Sequence, residues 1–150
     1  MTENNTFHNT LHQTFNMKQP DYLVLAIVGK PHMGKTERAN KFILDCVSNG
    51  GKVVLSSLKD SKLNETENLI ISYTTNKLFQ IFDIVESAMD DGFSPTLLVI
   101  DDLTNPTKSD VMDLKRFAYG YKLDIIVTTS PTDQSENFDG YIGVESSSMP

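Results

Sequence analysis

The chain has 150 residues, of which 39% are hydrophobic and 22% charged, with a formal charge of −7 at pH 7. That is enough sequence for one domain around one core, and the composition excludes a wholly disordered chain. The negative charge excludes a monomer that coats DNA by charge alone, though not a ring that gathers a few lysines in its channel.

One cysteine, Cys46, leaves no intrachain disulfide and points to a reducing, cytoplasmic setting. No apolar run approaches the length of a membrane span, and the polar N-terminus is not a signal peptide. No membrane association is therefore expected.

Residues 1–20 are rich in Asn, Thr, His and Gln. Two readings stand. The segment is a disordered tail, or it is an arm whose Phe7, Leu11 and Phe15 share one helical face and dock on a neighbouring subunit. Tyr22 to Val28 is a continuous apolar run, the mark of a strand buried on both faces. The stretch GKPHMGKT, residues 29–36, follows. From Lys35 the spacing of Ala39, Phe42, Ile43, Cys46 and Val47 predicts a helix, ended by Asn49-Gly50-Gly51. Lys52 to Ser56 reads as a second strand, 57–68 as a loop, and Asn68 to Tyr73 as a short strand. Leu78, Ile81, Phe82, Val85 and Met89 predict a second amphipathic helix, closed by Asp91-Gly92. Thr96 to Ile100 is again a strand. Ser109 is the expected cap of a third helix running to about Tyr119. Leu123 to Thr128 and Tyr141 to Val144 are the last expected strands. The alternation predicts a single three-layer α/β domain over 21–145 with a mainly parallel sheet, and a short tail at 146–150.

The stretch 29–36 matches G-x-x-x-x-G-K-[ST] in full, after a strand and before a helix. In that context backbone N–H groups of the loop and helix N-terminus face the phosphates of a nucleotide. The expected surround is Gly29, Lys30, Pro31, His32, Met33, Gly34, Lys35, Thr36 and Glu37. Gly29 and Gly34 permit close backbone approach, Lys35 reaches the β and γ phosphates, and the Thr36 hydroxyl joins the Mg²⁺ shell. His32 sits at a variable loop position and is not read as a ligand through its imidazole.

A second half of the site is expected at Thr96-Leu-Leu-Val-Ile-Asp101-Asp102, an apolar strand ending in two carboxylates. At the C-terminal end of a parallel strand they face the ligand crevice. Asp101 suits Mg²⁺ binding, and Asp102 can orient or deprotonate the attacking water. The strand Leu123–Thr128 ends in hydroxyls, and Thr129 and Ser130 are candidate sensors of the γ-phosphate.

GKPHMGKT, LLVIDD and IIVTTS, each at a strand end, resemble the RecA-like branch of P-loop ATPases, in which an extra strand lies between the loop strand and the acidic strand. Two groups look similar: DnaB/KaiC-like helicase ATPase domains, and HerA/FtsK-like viral genome-packaging ATPases. The resemblance implies an ATP- and Mg²⁺-dependent ATPase. It further implies a homo-oligomeric ring acting on DNA as a packaging or helicase-like motor of a virus or mobile element. Departures are visible. DnaB-like enzymes carry a catalytic glutamate just after the second strand, where this chain has Lys59 and Asp60. Both groups usually end the sensor strand with glutamine, where this chain has Thr129 and Ser130. Of the two arginines, Arg38 is a poor candidate for a finger, and Arg116 is the candidate to reach a neighbour's site. These departures keep a second expectation open: a weakly active or inactive nucleotide-dependent adaptor that binds a protein partner.

Other chemistries fit less well. A small-molecule kinase needs more arginines, and a GTPase needs Asn-Lys-x-Asp, which Asn76-Lys77-Leu78-Phe79 lacks. His8 and His12 are four residues apart but isolated in a polar segment, a poor metal site.

Overall fold

Strands without charged residues in their interiors must be covered on both faces, and crossover helices provide that cover. In the computed structural model, which describes residues 22–59, 62–73 and 77–144, six strands form one sheet. They are β1 (Val24–Val28), β2 (Val53–Ser57), β3 (Leu69–Tyr73), β4 (Leu97–Asp101), β5 (Asp124–Thr129) and β6 (Gly140–Gly143). Their order is β3-β2-β4-β5-β1-β6, and every pairing is parallel. The expected "mainly parallel" sheet is thus parallel throughout among the described strands. The expected extra strand is β5, which lies between β1 and β4.

Three helices complete the layers: α1 (Lys35–Ser48), α2 (Leu78–Asp90) and α3 (Lys108–Tyr121). Side chains of a strand alternate between faces. Leu25 and Ile27 therefore pack with Phe42 and Ile43 of α1, together with Leu55 and Val99. Val24 and Ala26 face the other way, into a second cluster with Ile81 and Val85 of α2 and Val111 and Leu114 of α3. Burying a side chain such as Ile81, fully removed from water, contributes about 1.5–3 kcal/mol.

Glycine ends two helices by one mechanism. After α1, Gly50 takes φ 87°, and the N–H groups of Gly50 and Gly51 reach the carbonyls of Val47 and Cys46 at 3.0 and 2.9 Å. After α2, Gly92 takes φ 95°, and Gly92 and Phe93 bond Met89 and Ala88, both at 3.0 Å. Both are Schellman closures, which a residue with a Cβ would strain. The start of α3 differs from expectation. Its cap is Thr107, not Ser109, which lies inside the first turn. The Thr107 hydroxyl accepts from the Asp110 N–H at 3.0 Å, and the Asp110 carboxylate accepts from the Thr107 N–H at 2.9 Å. This reciprocal pair needs an acidic partner three residues on, which Ser109 lacks.

The start of β1 is held from both sides. Asp124 of β5 accepts the Leu23 N–H at 2.9 Å, and Asp139, just before β6, accepts the Val24 N–H at 2.8 Å. Asp139 also pairs with Lys115 of α3 at 3.5 Å. At the other end of β1 the Gly29 N–H bonds the Thr129 carbonyl at 3.1 Å. The arm with Phe7, Leu11 and Phe15, the His8/His12 pair, Asp60 and the tail 146–150 lie outside the described residues.

Candidate functional site

Between β1 and α1 the chain must reverse within six residues, and two of them take left-handed conformations: His32 at φ 65° and Gly34 at φ 91°. Gly34 is the N-cap of α1 and has no side chain to bond the first-turn amides. Those amide donors face the loop, where an anion can meet them. Gly29 has a different reason to be glycine from the expected phosphate approach. A Cβ there would lie 2.8 Å from the Val144 carbonyl oxygen, so the loop passes directly over the chain that leaves β6.

The strand order brings four side chains from three segments to one point. Thr36, at the start of α1, donates its hydroxyl to the Asp101 carboxylate, 3.1 and 3.0 Å from the two oxygens. Thr128 of β5 donates its hydroxyl to Asp101 Oδ1 at 2.8 Å. The same Thr128 oxygen accepts the backbone N–H of Asp102 at 2.6 Å. Asp102 sits at φ 76°, a conformation a non-glycine residue holds only when its surroundings impose it. Thr128 is fully buried, whereas Asp101 and Asp102 are half-buried and face the cleft.

That cleft has a volume of about 640 Å³, in the range of small-molecule sites. Pro31, His32, Gly34, Lys35, Thr36 and Glu37 line it, and so do Asp101, Asp102 and Ser130. Gly29, Lys30 and Met33 do not line it, although the sequence groups them with the loop. Thr129 is also placed elsewhere. Its hydroxyl is buried and donates to the Leu103 carbonyl at 2.7 Å, so it holds the segment after β4 and does not face the cleft. Period-two alternation accounts for this: Thr128 and Ser130 share one face and Thr129 takes the other. Arg116 lies on α3, away from the cleft of its own chain, and pairs with Asp113 at 2.8 Å.

Several lining residues were not singled out from the sequence, among them Asn40, Ser57, Leu58, Lys62 and Thr104. Asn40 had a signal, since it lies one helical turn beyond Thr36. Thr128 had one as well, through its alternation with Ser130. The segment after β2 had none, because nothing local reveals that β2 lies beside β4.

The donor set fits a hard cation. Thr36 and Asp101 place a hydroxyl and two carboxylate oxygens together at the mouth of the phosphate loop. Among the described residues no group of three or more His, Cys, Asp or Glu side chains could hold a metal. A cation here would therefore take most of its ligands from water and phosphate, as Mg²⁺ does. Among the described residues no helix is long and apolar enough to cross a membrane.

No family model and no curated protein matches the sequence. Solved structures do. The chain is similar to the ATPase domain of a DnaB-like helicase, with a TM-score of 0.62 and 17% identity over 87% of this chain and 64% of that one. It is also similar to a DnaB-like replicative helicase described with its interactions with primase, with a TM-score of 0.60 and 17% identity over 77% of this chain and 40% of that one. The chain thus spans less than two thirds of either neighbour. The fold is the RecA-like α/β fold of helicase ATPase domains, as the DnaB side of the resemblance implied.

Proposed function

We propose that this chain binds ATP with Mg²⁺ in the cleft and hydrolyses it, as a subunit of a DNA motor of the packaging or helicase-like kind, working in a homo-oligomeric ring. The observation that carries the reading is the meeting of Thr36 and Asp101, 65 positions apart in sequence, within 3.1 Å at the mouth of a full phosphate-loop motif. A turn of no function has no need to place a hydroxyl against a strand-end carboxylate.

Each residue has a task in this reading. The uncapped amides of α1 and the Lys35 ammonium bind the phosphate chain. Thr36 and Asp101 would hold Mg²⁺, which when bound screens the phosphate charge and orients the γ-phosphate for attack. Asp102, aimed by its left-handed backbone, orients the attacking water or accepts its proton. Thr128 keeps both carboxylates in place. The surrounding strands supply the rigidity that makes such positioning effective.

A second reading, a nucleotide-dependent adaptor with little turnover, is favoured by one observation: neither Arg38 nor Arg116 lines the cleft. In GTPases an arginine at the phosphates raises turnover by roughly 10³–10⁵. One experiment separates the two readings. Steady-state ATP hydrolysis is measured for the wild type and Lys35→Ala without DNA, with single-stranded DNA and with duplex DNA. The motor predicts turnover that rises with DNA and disappears in Lys35→Ala. Tight ATP binding with no turnover in any arm assigns the adaptor instead, and no ATP binding at all removes both.

A further inference from the structure

The cleft has two walls. The phosphate loop and the start of α1 form one, with Lys35. The segment that leaves β2 forms the other. Ser57, the last residue of β2, is paired in register with Asp101 of β4 and is buried. Its hydroxyl donates to the Lys59 carbonyl at 2.9 Å and accepts the Lys59 N–H at 3.2 Å. The chain therefore turns at once, and Lys59 stays beside the strand end. Lys59 and Lys62 both line the cleft. Both are exposed, and among the described residues neither is in an ion pair.

The cleft's charges are thus unusual in their source. Its acidic lining is Glu37, Asp101 and Asp102, and its cationic side chains are Lys35, Lys59 and Lys62, with no arginine. Lys35 belongs to the loop. The other two lysines stand on the opposite wall, after the strand next to the one that carries Asp101. A phosphate chain that begins in the loop and ends near Asp101 brings its last phosphoryl group toward that wall. Ammonium groups there offer point charges to its non-bridging oxygens, and the low-dielectric walls of a cleft strengthen the attraction.

We propose that Lys59 and Lys62 form a second phosphate-recognition point within the same chain, one that contacts the terminal phosphate and distinguishes a nucleoside triphosphate from a diphosphate. This rests on the reading of the cleft as a triphosphate site. The two lysines replace, from inside the subunit, charge that an arginine would otherwise have to bring.

The test is calorimetric titration with ADP and with the β,γ-imido analogue of ATP, in excess Mg²⁺. It uses the full chain as wild type, Lys35→Ala, the double variant Lys59→Ala/Lys62→Ala, and Lys59→Arg/Lys62→Arg. The double alanine variant is expected to lose about tenfold in triphosphate affinity while ADP affinity stays within about twofold. The double arginine variant is expected to keep the preference. An unchanged triphosphate-to-diphosphate ratio in the double alanine variant overturns the proposal, as does an equal loss for both nucleotides. Wild type that binds neither nucleotide would sink the triphosphate reading of the cleft itself, and this proposal with it. Thermal midpoints of all four proteins verify that each is folded.

Discussion

Two pairs of aspartates sit at opposite ends of one sheet and do different work. Asp124 and Asp139, at the N-terminal end, each accept a backbone N–H of the β1 start, and Asp124 is almost fully buried. Asp101 and Asp102, at the C-terminal end, meet the hydroxyls of Thr36 and Thr128 and open onto the cleft. The residue type is the same and the partners differ. A carboxylate that satisfies a buried backbone donor is committed to the fold, because releasing it leaves that donor unpaired. A carboxylate held by hydroxyls at a cleft mouth can exchange those partners for a cation and phosphate with little disturbance. Parallel strands create this division, since all six C-terminal ends lie on one side and all six starts on the other.

Substitutions can break that contrast, and the largest effect is expected at Asp101. Asp101→Ala should lower ATP turnover on the order of 10²–10³, with a small change in thermal midpoint. A large loss of stability with turnover intact would reverse the assignment. Next in size is Asp124→Ala, expected to cost about 1–3 kcal/mol in chemical denaturation because it strips the buried Leu23 N–H of its acceptor. Its nucleotide affinity at a temperature where it remains folded should match the wild type. Thr128→Val sharpens the contrast from the functional end. Loss of one hydroxyl frees both Asp101 and the Asp102 amide, and turnover should fall about tenfold with a raised Mg²⁺ requirement. Thr128→Ser, which keeps the hydroxyl, should restore most of it, whereas equal loss in both variants would assign Thr128 to packing alone.

Smaller effects are expected where neither end is involved. Thr107→Ala removes one side of the α3 capping box and should cost about 1 kcal/mol in a denaturant melt, without a change in nucleotide binding. Cys46 lies in the α1 face of the core, and burial pushes its thiol from the ordinary 9.0 to about 11, partly offset by the contact with Thr96. The folded chain should therefore resist iodoacetamide at pH 8 and react once unfolded. The sign for stability follows. The raised folded value favours the native state below pH 9, and that contribution is lost as the pH rises from 9 toward 11. Rapid native-state alkylation would show that Cys46 is accessible.

Much of this was legible along the chain. The apolar runs at 24–28, 97–101 and 124–129 are strands within a residue or two of their expected bounds. The glycines at 50 and 92 end helices where they were expected to. The phosphate loop stands between a strand and a helix. Less legible was which residue of a short polar cluster performs a given task. Ser109 and Thr107 are both hydroxyls near the start of α3, and only the spacing to Asp110 separates them. Thr128, Thr129 and Ser130 are consecutive hydroxyls on a strand, and only the side of the sheet that faces the cleft separates those.

The sequence by itself determined what is local: helix and strand periods, glycine closures, the loop that can receive phosphates, and the carboxylates that end β4. These depend on interactions across a few residues, so the pattern contains them. The tertiary structure alone decided neighbours. That β5 lies between β1 and β4 brings Thr128 to Asp101, and that β2 lies on the other side of β4 brings Ser57, Lys59 and Lys62 to the cleft. Crossover connections in a parallel sheet can join many strand orders with the same local periods. The choice among them is made by burying both faces together, and no short stretch of sequence records it.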